Sequence, residues 1–167
     1  MTKTIVLVGM MGSGKSSIGK ELAKKTGLHF VDTDIEIEKI SKKKIKDIFS
    51  TKGEVFFRKL EEKICKKFIN GEKKIVSIGG GAFMNKNIRN IITKFGKSFW
   101  IDVNKDILIN RLSISNNIRP LLNYKNLNKS ISEIINNRKD TYIKADIKIK
   151  VLNKSKSEIV NKIMKFI

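Results

Sequence analysis

The chain has 167 residues, 40% of them apolar and 31% charged, with a mean hydropathy of −0.24 and a formal net charge of +20. That suffices for one compact domain with a single core, and it excludes a disordered chain or two ordinary domains. The charge has the look of a nucleic-acid footprint, yet 31 of the 36 basic residues are Lys and only 5 are Arg, alongside 28 Ile and 15 Asn.

Lys, Ile and Asn share adenine- and thymine-rich codons, so a drift toward them, spread over solvated faces, explains the charge without a specific nucleic-acid partner. Its consequence concerns arginine. Where Lys is so plentiful, Arg58, Arg89, Arg111, Arg119 and Arg138 become candidates for what a point charge does poorly, the bidentate binding of carboxylate or phosphate.

Thr4 to Val8 is a β-branched apolar run ending at Gly9, and Ser16 to Lys25 follows in a helical pattern that Gly27 closes. The longest apolar run, Ile5 to Met11, is 7 residues even counting Gly9, far short of the roughly 20 that a membrane helix needs. Nothing near the N-terminus has the basic and apolar pattern of a secretory leader. A second strand, Leu28 to Val31, stops at Asp32; Ile75 to Ile78 runs into Gly79, Gly80 and Gly81; Ser98 to Val103 ends before Asn104; Ile147 to Val151 is the last strand. Helical segments are expected at Asp34 to Ile40, Ile45 to Phe49, Glu54 to Ile69, Lys86 to Lys94, Lys105 to Leu112, Ser130 to Tyr142 and Ser157 to Phe166. The lone Cys65 falls inside one of them, cannot form an internal disulfide, and reads as helix filling in a reducing, cytoplasmic setting. Strands alternating with helices imply an α/β domain whose parallel sheet is covered on both faces. With one proline, no repeat and no low-complexity linker, no domain boundary declares itself.

The most specific signal is Gly9-Met10-Met11-Gly12-Ser13-Gly14-Lys15-Ser16, which satisfies G-x-x-x-x-G-K-[ST] between a predicted strand and a predicted helix. Glycines let successive N–H groups turn inward as an anion nest at a helix N-terminus, Lys15 reaches the β- and γ-phosphates, and the Ser16 hydroxyl is a Mg²⁺ ligand. Such a loop implies an NTP and leaves the acceptor open. Asp32-Thr33-Asp34 puts two carboxylates at a strand's C-terminal end, where ligands of open α/β sheets bind, although Asp34 could instead cap the following helix. Arg58 and Glu61 have i, i+3 spacing and, taken alone, read as a surface ion pair worth little.

Taken together, the order of these motifs resembles the shikimate kinase family. The resemblance rests on the phosphate loop, Asp32-x-Asp34 with Ile37-Glu38 after it, Ile48-Phe49, Gly53-Glu54 leading into Phe57-Arg58 and Glu61, the glycines 79 to 81, Arg119-Pro120-Leu121-Leu122, and Arg138 followed by Tyr142. It implies a three-layer P-loop fold, nucleoside-monophosphate-kinase-like, spanning 1–167 as a single kinase domain. Residues 33–61 would form acceptor-binding helices and 112–123 a mobile lid. It implies ATP as co-substrate, Mg²⁺ held by Ser16 and Asp32, and shikimate as the small-molecule acceptor, in a monomer with no membrane contact. Gly12, Ser13, Gly14, Lys15, Ser16 and Ser17 would hold the phosphates, Arg111 would stack on adenine, and Asn153 would contact the base. Arg58 and Arg138 would clamp the carboxylate of shikimate, Asp34 its ring hydroxyls, and Gly79, Gly80 and Gly81 would allow backbone approach. Ile45, Phe49 and Phe57 would line the apolar side of the ring. Lys15, Asp34 and Arg119 would be the catalytic set, with Arg119 swinging over the phosphates; Arg89 is left as structural. The chain departs from the family pattern at Lys42, where glycine is common, and at Leu152-Asn153-Lys154-Ser155, an adenine loop without proline. A gluconate- or nucleotide-type P-loop kinase is the alternative among enzymes, and an NTP-dependent nucleic-acid-binding protein the alternative outside them.

Overall fold

In the computed structural model, residues 3–116, 118–152 and 154–167 are described. Five parallel strands, β1 (Thr4–Val8), β2 (Phe30–Asp32), β3 (Ile75–Ser77), β4 (Gly96–Val103) and β5 (Ile147–Val151), form one sheet in the order β2-β3-β1-β4-β5. All five residues of β1 are buried. A strand whose successive side chains point to opposite faces can be buried throughout only if both faces are covered, as the uninterrupted apolar run implies.

The cover comes from α1 (Lys15–Thr26), α2 (Thr33–Ser41), α3 (Ile45–Phe68), α4 (Lys86–Phe95), α5 (Lys105–Ser113), α6 (Leu127–Tyr142) and α7 (Lys156–Met164). Helices α1 and α7 pack on each other, as do α5 and α6, and α4 lies on β1 and β4. One large core joins the sheet to these helices; a smaller one, Ile37, Ile48, Phe57 and Ile64, holds α2 against α3.

Most predicted elements are found, with shifted ends. The two predicted helices at 45–49 and 54–69 are both present, as the two arms of α3 on either side of a kink at Gly53, whose φ of 79° and ψ of 169° leave the helical region. Strand β4 starts two residues early because Thr4 of β1 pairs with Gly96. Leu28 and His29 lie outside β2. Helix α6 begins at Leu127 because Asn126 caps it, its side chain accepting from the Lys129 amide. Lys42 keeps the left-handed conformation of a helix C-cap (φ 52°), the only described non-glycine residue with positive φ. The turn that glycine would make is therefore retained, at a backbone cost of about 1–2 kcal/mol.

Candidate active site

The phosphate loop leaves β1 at its C-terminal end, in the middle of the sheet. Gly12 and Gly14 have φ of 78° and 89°, which side-chain-bearing residues rarely adopt. Gly14 is the N-cap of α1 and provides no capping side chain, so the first amides of the helix are left for an anion. Lys15 is only 8% exposed. Its Nζ donates to the carbonyls of Gly9 (2.8 Å) and Met10 (2.9 Å), which hold it across the loop. Burial lowers its pKa to about 8, with Asp34 and Asp32 opposing the shift.

A cleft of about 450 Å³ runs over this loop, lined by Gly12, Ser13, Gly14, Ser16, Ser17 and Asp32 among others. The Ser16 hydroxyl donates to Asp32 Oδ2, so the two expected metal-binding oxygens are in direct contact. Asp32 Oδ1 accepts from the Asp34 amide at 3.1 Å and is the N-cap of α2. The capping role open to Asp34 thus falls to its neighbour, and the Asp34 carboxyl faces the cleft. Desolvation there pushes its pKa above the usual carboxylate range, reinforced by Asp32 and opposed by Arg119 and Lys15. Arg111 lines the same cleft and donates to the Gly12 carbonyl at 3.1 Å. Asn153 lies outside the described residues.

A second cleft adjoins the first, lined by Ile45, Phe49 and Phe57 on its apolar side and by Arg58, Arg138 and the glycines 79 to 81 on its polar side. Asp34 and Arg119 line both clefts. Arg119 Nη1 stands 3.8 Å from Asp34 Oδ2, and its buried Nε has no hydrogen-bond partner among the described residues. It therefore lies at the junction of the two clefts rather than over the phosphate loop alone.

The glycine run makes room for side chains as well as for the backbone of the phosphate loop, since a Cβ on Gly80 would meet the Met11 amide at 3.1 Å. A Cβ on Gly81 would fall 2.6 Å from both terminal nitrogens of Arg58, and one on Gly80 would fall 3.3 Å from Arg138 Nη1. A Cβ on Gly79 would meet Glu61 Oε1 at 2.5 Å and Asp34 Oδ1 at 3.0 Å. Residues from α2, α3 and α6 can converge on one strand end only because no side chain stands there.

The surface-pair reading of Arg58 and Glu61 is corrected. Glu61 is 1% exposed, and its Oε2 accepts from Arg58 Nη1 at 2.7 Å. Burial raises the Glu61 pKa and Arg58 opposes the rise; a pair so placed is costly to break, because one partner would be left charged in a dry site. Glu54, more exposed, takes the other edge of the guanidinium at 3.0 Å. Arg138 is 7% exposed and forms no salt bridge among the described residues; its Nη1 faces Met10 Sδ at 4.0 Å. Arg89 is structural as expected, donating to the Phe83 carbonyl at 2.7 Å behind the glycine run. Cys65 is fully buried, and burial raises its thiol pKa well above the ordinary value, which fits an inert filler. The burial of Glu61 was missed in the sequence; its only hint there is Gly79, a residue too small for any reason but a close neighbour.

Comparison with known proteins agrees with this geometry. The family model described as shikimate kinase matches residues 11–167. The shikimate kinase of Persephonella marina is 43% identical over 162 residues, covering 97% of each chain. That of a Sulfurihydrogenibium species is 44% identical over 147 residues, covering 88% of this chain and 87% of its own. Among solved structures, the shikimate kinase of Acinetobacter baumannii in complex with shikimate superposes with a TM-score of 0.91 at 27% identity, over 99% of this chain and 92% of the other. The phosphate loop at the centre of the sheet, the arginine-lined cleft beside it and the match over nearly all of the sequence together assign the chain to the shikimate kinase family.

Proposed function

We propose that the chain transfers the γ-phosphoryl group of ATP to the 3-hydroxyl of shikimate, giving shikimate 3-phosphate and ADP. The observation that carries this reading is the convergence of Arg58 and Arg138 on Gly80 and Gly81, beside Asp34 and one wall away from Lys15. Two guanidiniums in a small, half-apolar cleft suit a compact ring bearing one carboxylate. The apolar wall of Ile45, Phe49 and Phe57 suits the ring's carbon face.

Each group then has a role. The open amides of α1 and the Lys15 ammonium bind the β- and γ-phosphates, the ammonium having a third donor beyond the two held by the carbonyls of Gly9 and Met10. The Arg58 and Arg138 pair turns the ring so that one hydroxyl faces Asp34. Asp34, with its raised pKa, orients that hydroxyl and accepts its proton as the oxygen attacks phosphorus. Arg119, at the junction of the clefts, donates to the oxygens of the group in flight. The Ser16 hydroxyl and Asp32 carboxylate fit Mg²⁺, which binds through one or two protein oxygens plus substrate phosphates. When bound, the ion neutralises charge on the phosphates.

Within this reading the chain is one P-loop kinase domain whose 33–61 helices present the acceptor and whose 112–123 segment is the lid. A coupled ADP-release assay across shikimate, gluconate and nucleoside monophosphates tests the proposal. Turnover with shikimate at least a hundredfold above the others is expected; preference for gluconate or a nucleotide would overturn it.

A further inference from the structure

The middle residue of Asp32-Thr33-Asp34 has no part in the mechanism above, yet it is fully buried. The Thr33 hydroxyl oxygen accepts a hydrogen bond from the amide of Gly79 at 3.2 Å, between residues 46 apart in the sequence. The bond lies where β2 and β3 part. The pairing register of those two strands ends with Asp32 opposite Ser77.

The ladder itself explains why a side chain is needed there. In a parallel pair the hydrogen bonds are evenly spaced and recur at every second residue, and the amide of Ile75 donates to the His29 carbonyl at 2.9 Å. Two repeats further on, the amide of Gly79 would need the carbonyl of Thr33. That carbonyl has turned away, because Thr33 is already the first residue of α2 and its C=O runs along the helix axis. The hydroxyl takes its place, so a buried amide that the strands alone would leave without an acceptor is satisfied.

This extra rung joins groups that matter to the acceptor. Asp34 follows Thr33 directly, and a Cβ on Gly79 would meet Asp34 Oδ1 at 3.0 Å and Glu61 Oε1 at 2.5 Å. Gly79 is thus the floor on which both carboxyls rest, and Thr33 fixes the first turn of α2 against it. Asp32 is held one rung earlier, opposite Ser77 and in contact with Ser16, so the phosphate side of the site does not depend on the Thr33 hydroxyl. We propose that Thr33 is a positioning residue of the acceptor site, its hydroxyl extending the β2–β3 ladder past the start of α2 and so setting the Asp34 carboxyl against the glycine run. The inference rests on the shikimate reading of this site. Such pre-organisation acts through Asp34 on the acceptor rather than on the nucleotide.

Thr33→Val keeps the branched shape and removes the acceptor, leaving the Gly79 amide buried and unpaired. With that change, kcat/KM for shikimate should fall about 5- to 50-fold while the KM for ATP stays within about twofold and circular dichroism remains native. Thr33→Ser restores the hydroxyl without the methyl, and should return kcat/KM to within about threefold of wild type. A purely structural role would lower Tm and leave kcat and the shikimate KM within about twofold of wild type, and that result overturns the proposal. An equal rise in the KM for ATP, or a Thr33→Ser enzyme as impaired as Thr33→Val, would also overturn it. If Thr33→Val does not fold, comparing Thr33→Ala with Thr33→Ser isolates the hydroxyl at nearly equal size. The alanine variant should then have a kcat/KM for shikimate roughly fivefold or more below the serine variant, and equal values overturn the role. Wild-type enzyme that ignores shikimate would overturn the acceptor reading on which the role depends. Activity in wild type with an unaffected Thr33→Val enzyme overturns the role of Thr33 alone.

Discussion

Lys15 joins two properties that are at odds: it must be charged to bind phosphate, and it is buried. Its pKa of about 8 in the free protein means that the ammonium is present below pH 8 and is lost as pH rises through that value. Since kcat/KM reports the free enzyme, kcat/KM for ATP should fall about tenfold per pH unit above roughly pH 8, in a pH titration of initial rates. A profile flat to pH 9.5 would remove the link between this lysine and nucleotide capture. Lys15→Ala should lower kcat by a factor of about 10² or more with the fold unchanged by circular dichroism. At Arg58 the prediction is directional. Lys cannot reproduce a fork that holds Glu61 on one edge and Glu54 on the other. Arg58→Lys should lower kcat/KM for shikimate about 10- to 100-fold, equivalent to roughly 1.5–3 kcal/mol. Calorimetry of a nucleotide analogue without acceptor should show binding nearly untouched, and an equal loss there would move Arg58 to the phosphate site.

Among the elements, β1, its phosphate loop and α1 were legible because each carries a local signal: a β-branched run, glycines at fixed spacing, a glycine stop. Gly96 and Lys97 were not, since neither favours a strand and only the register against Thr4 and Ile5 puts them in one. The residues of the acceptor cleft were visible through resemblance, but their crowding was not. That Glu61 is dry and that Arg58 fills the place of a missing Cβ depend on α3 lying against the end of β3, a long-range relation without local periodicity. The same logic marks Gly19, in the middle of α1, where helix propensity alone would favour alanine. A Cβ there would fall 2.2 Å from Phe30 of β2. Gly19→Ala should therefore destabilise by about 1–3 kcal/mol, lowering Tm by roughly 2–10 °C in a thermal melt, while kcat at 25 °C is kept. A raised Tm would show that the α1–β2 contact is loose.

At the scale of the whole molecule, the charge of +20 needs an account that the active site does not provide. The cationic groups that line the clefts are a small share of the 36 basic residues, and most of the remaining lysines are exposed on several helices and loops. Duplex DNA should accordingly bind weakly and lose its hold between about 50 and 200 mM salt, as judged by fluorescence anisotropy. Sub-micromolar, sequence-selective binding at physiological salt would restore the nucleic-acid reading.

The strand order has a consequence for synthesis. The central strand, Thr4–Val8, is made first, yet its neighbours are β3 and β4, the second of which pairs Val8 with Trp100. At about 5–20 residues per second on the ribosome, roughly 90 further residues take on the order of 5–20 s. For most of that interval five residues meant to be buried on both faces have neither edge filled, and after Ile75–Ser77 is made the edge that β4 covers is still open. The first strand of the sheet to be translated is thus among the last to be safe from non-native partners, and shielding of β1 by a chaperone should matter most before β4 leaves the exit tunnel.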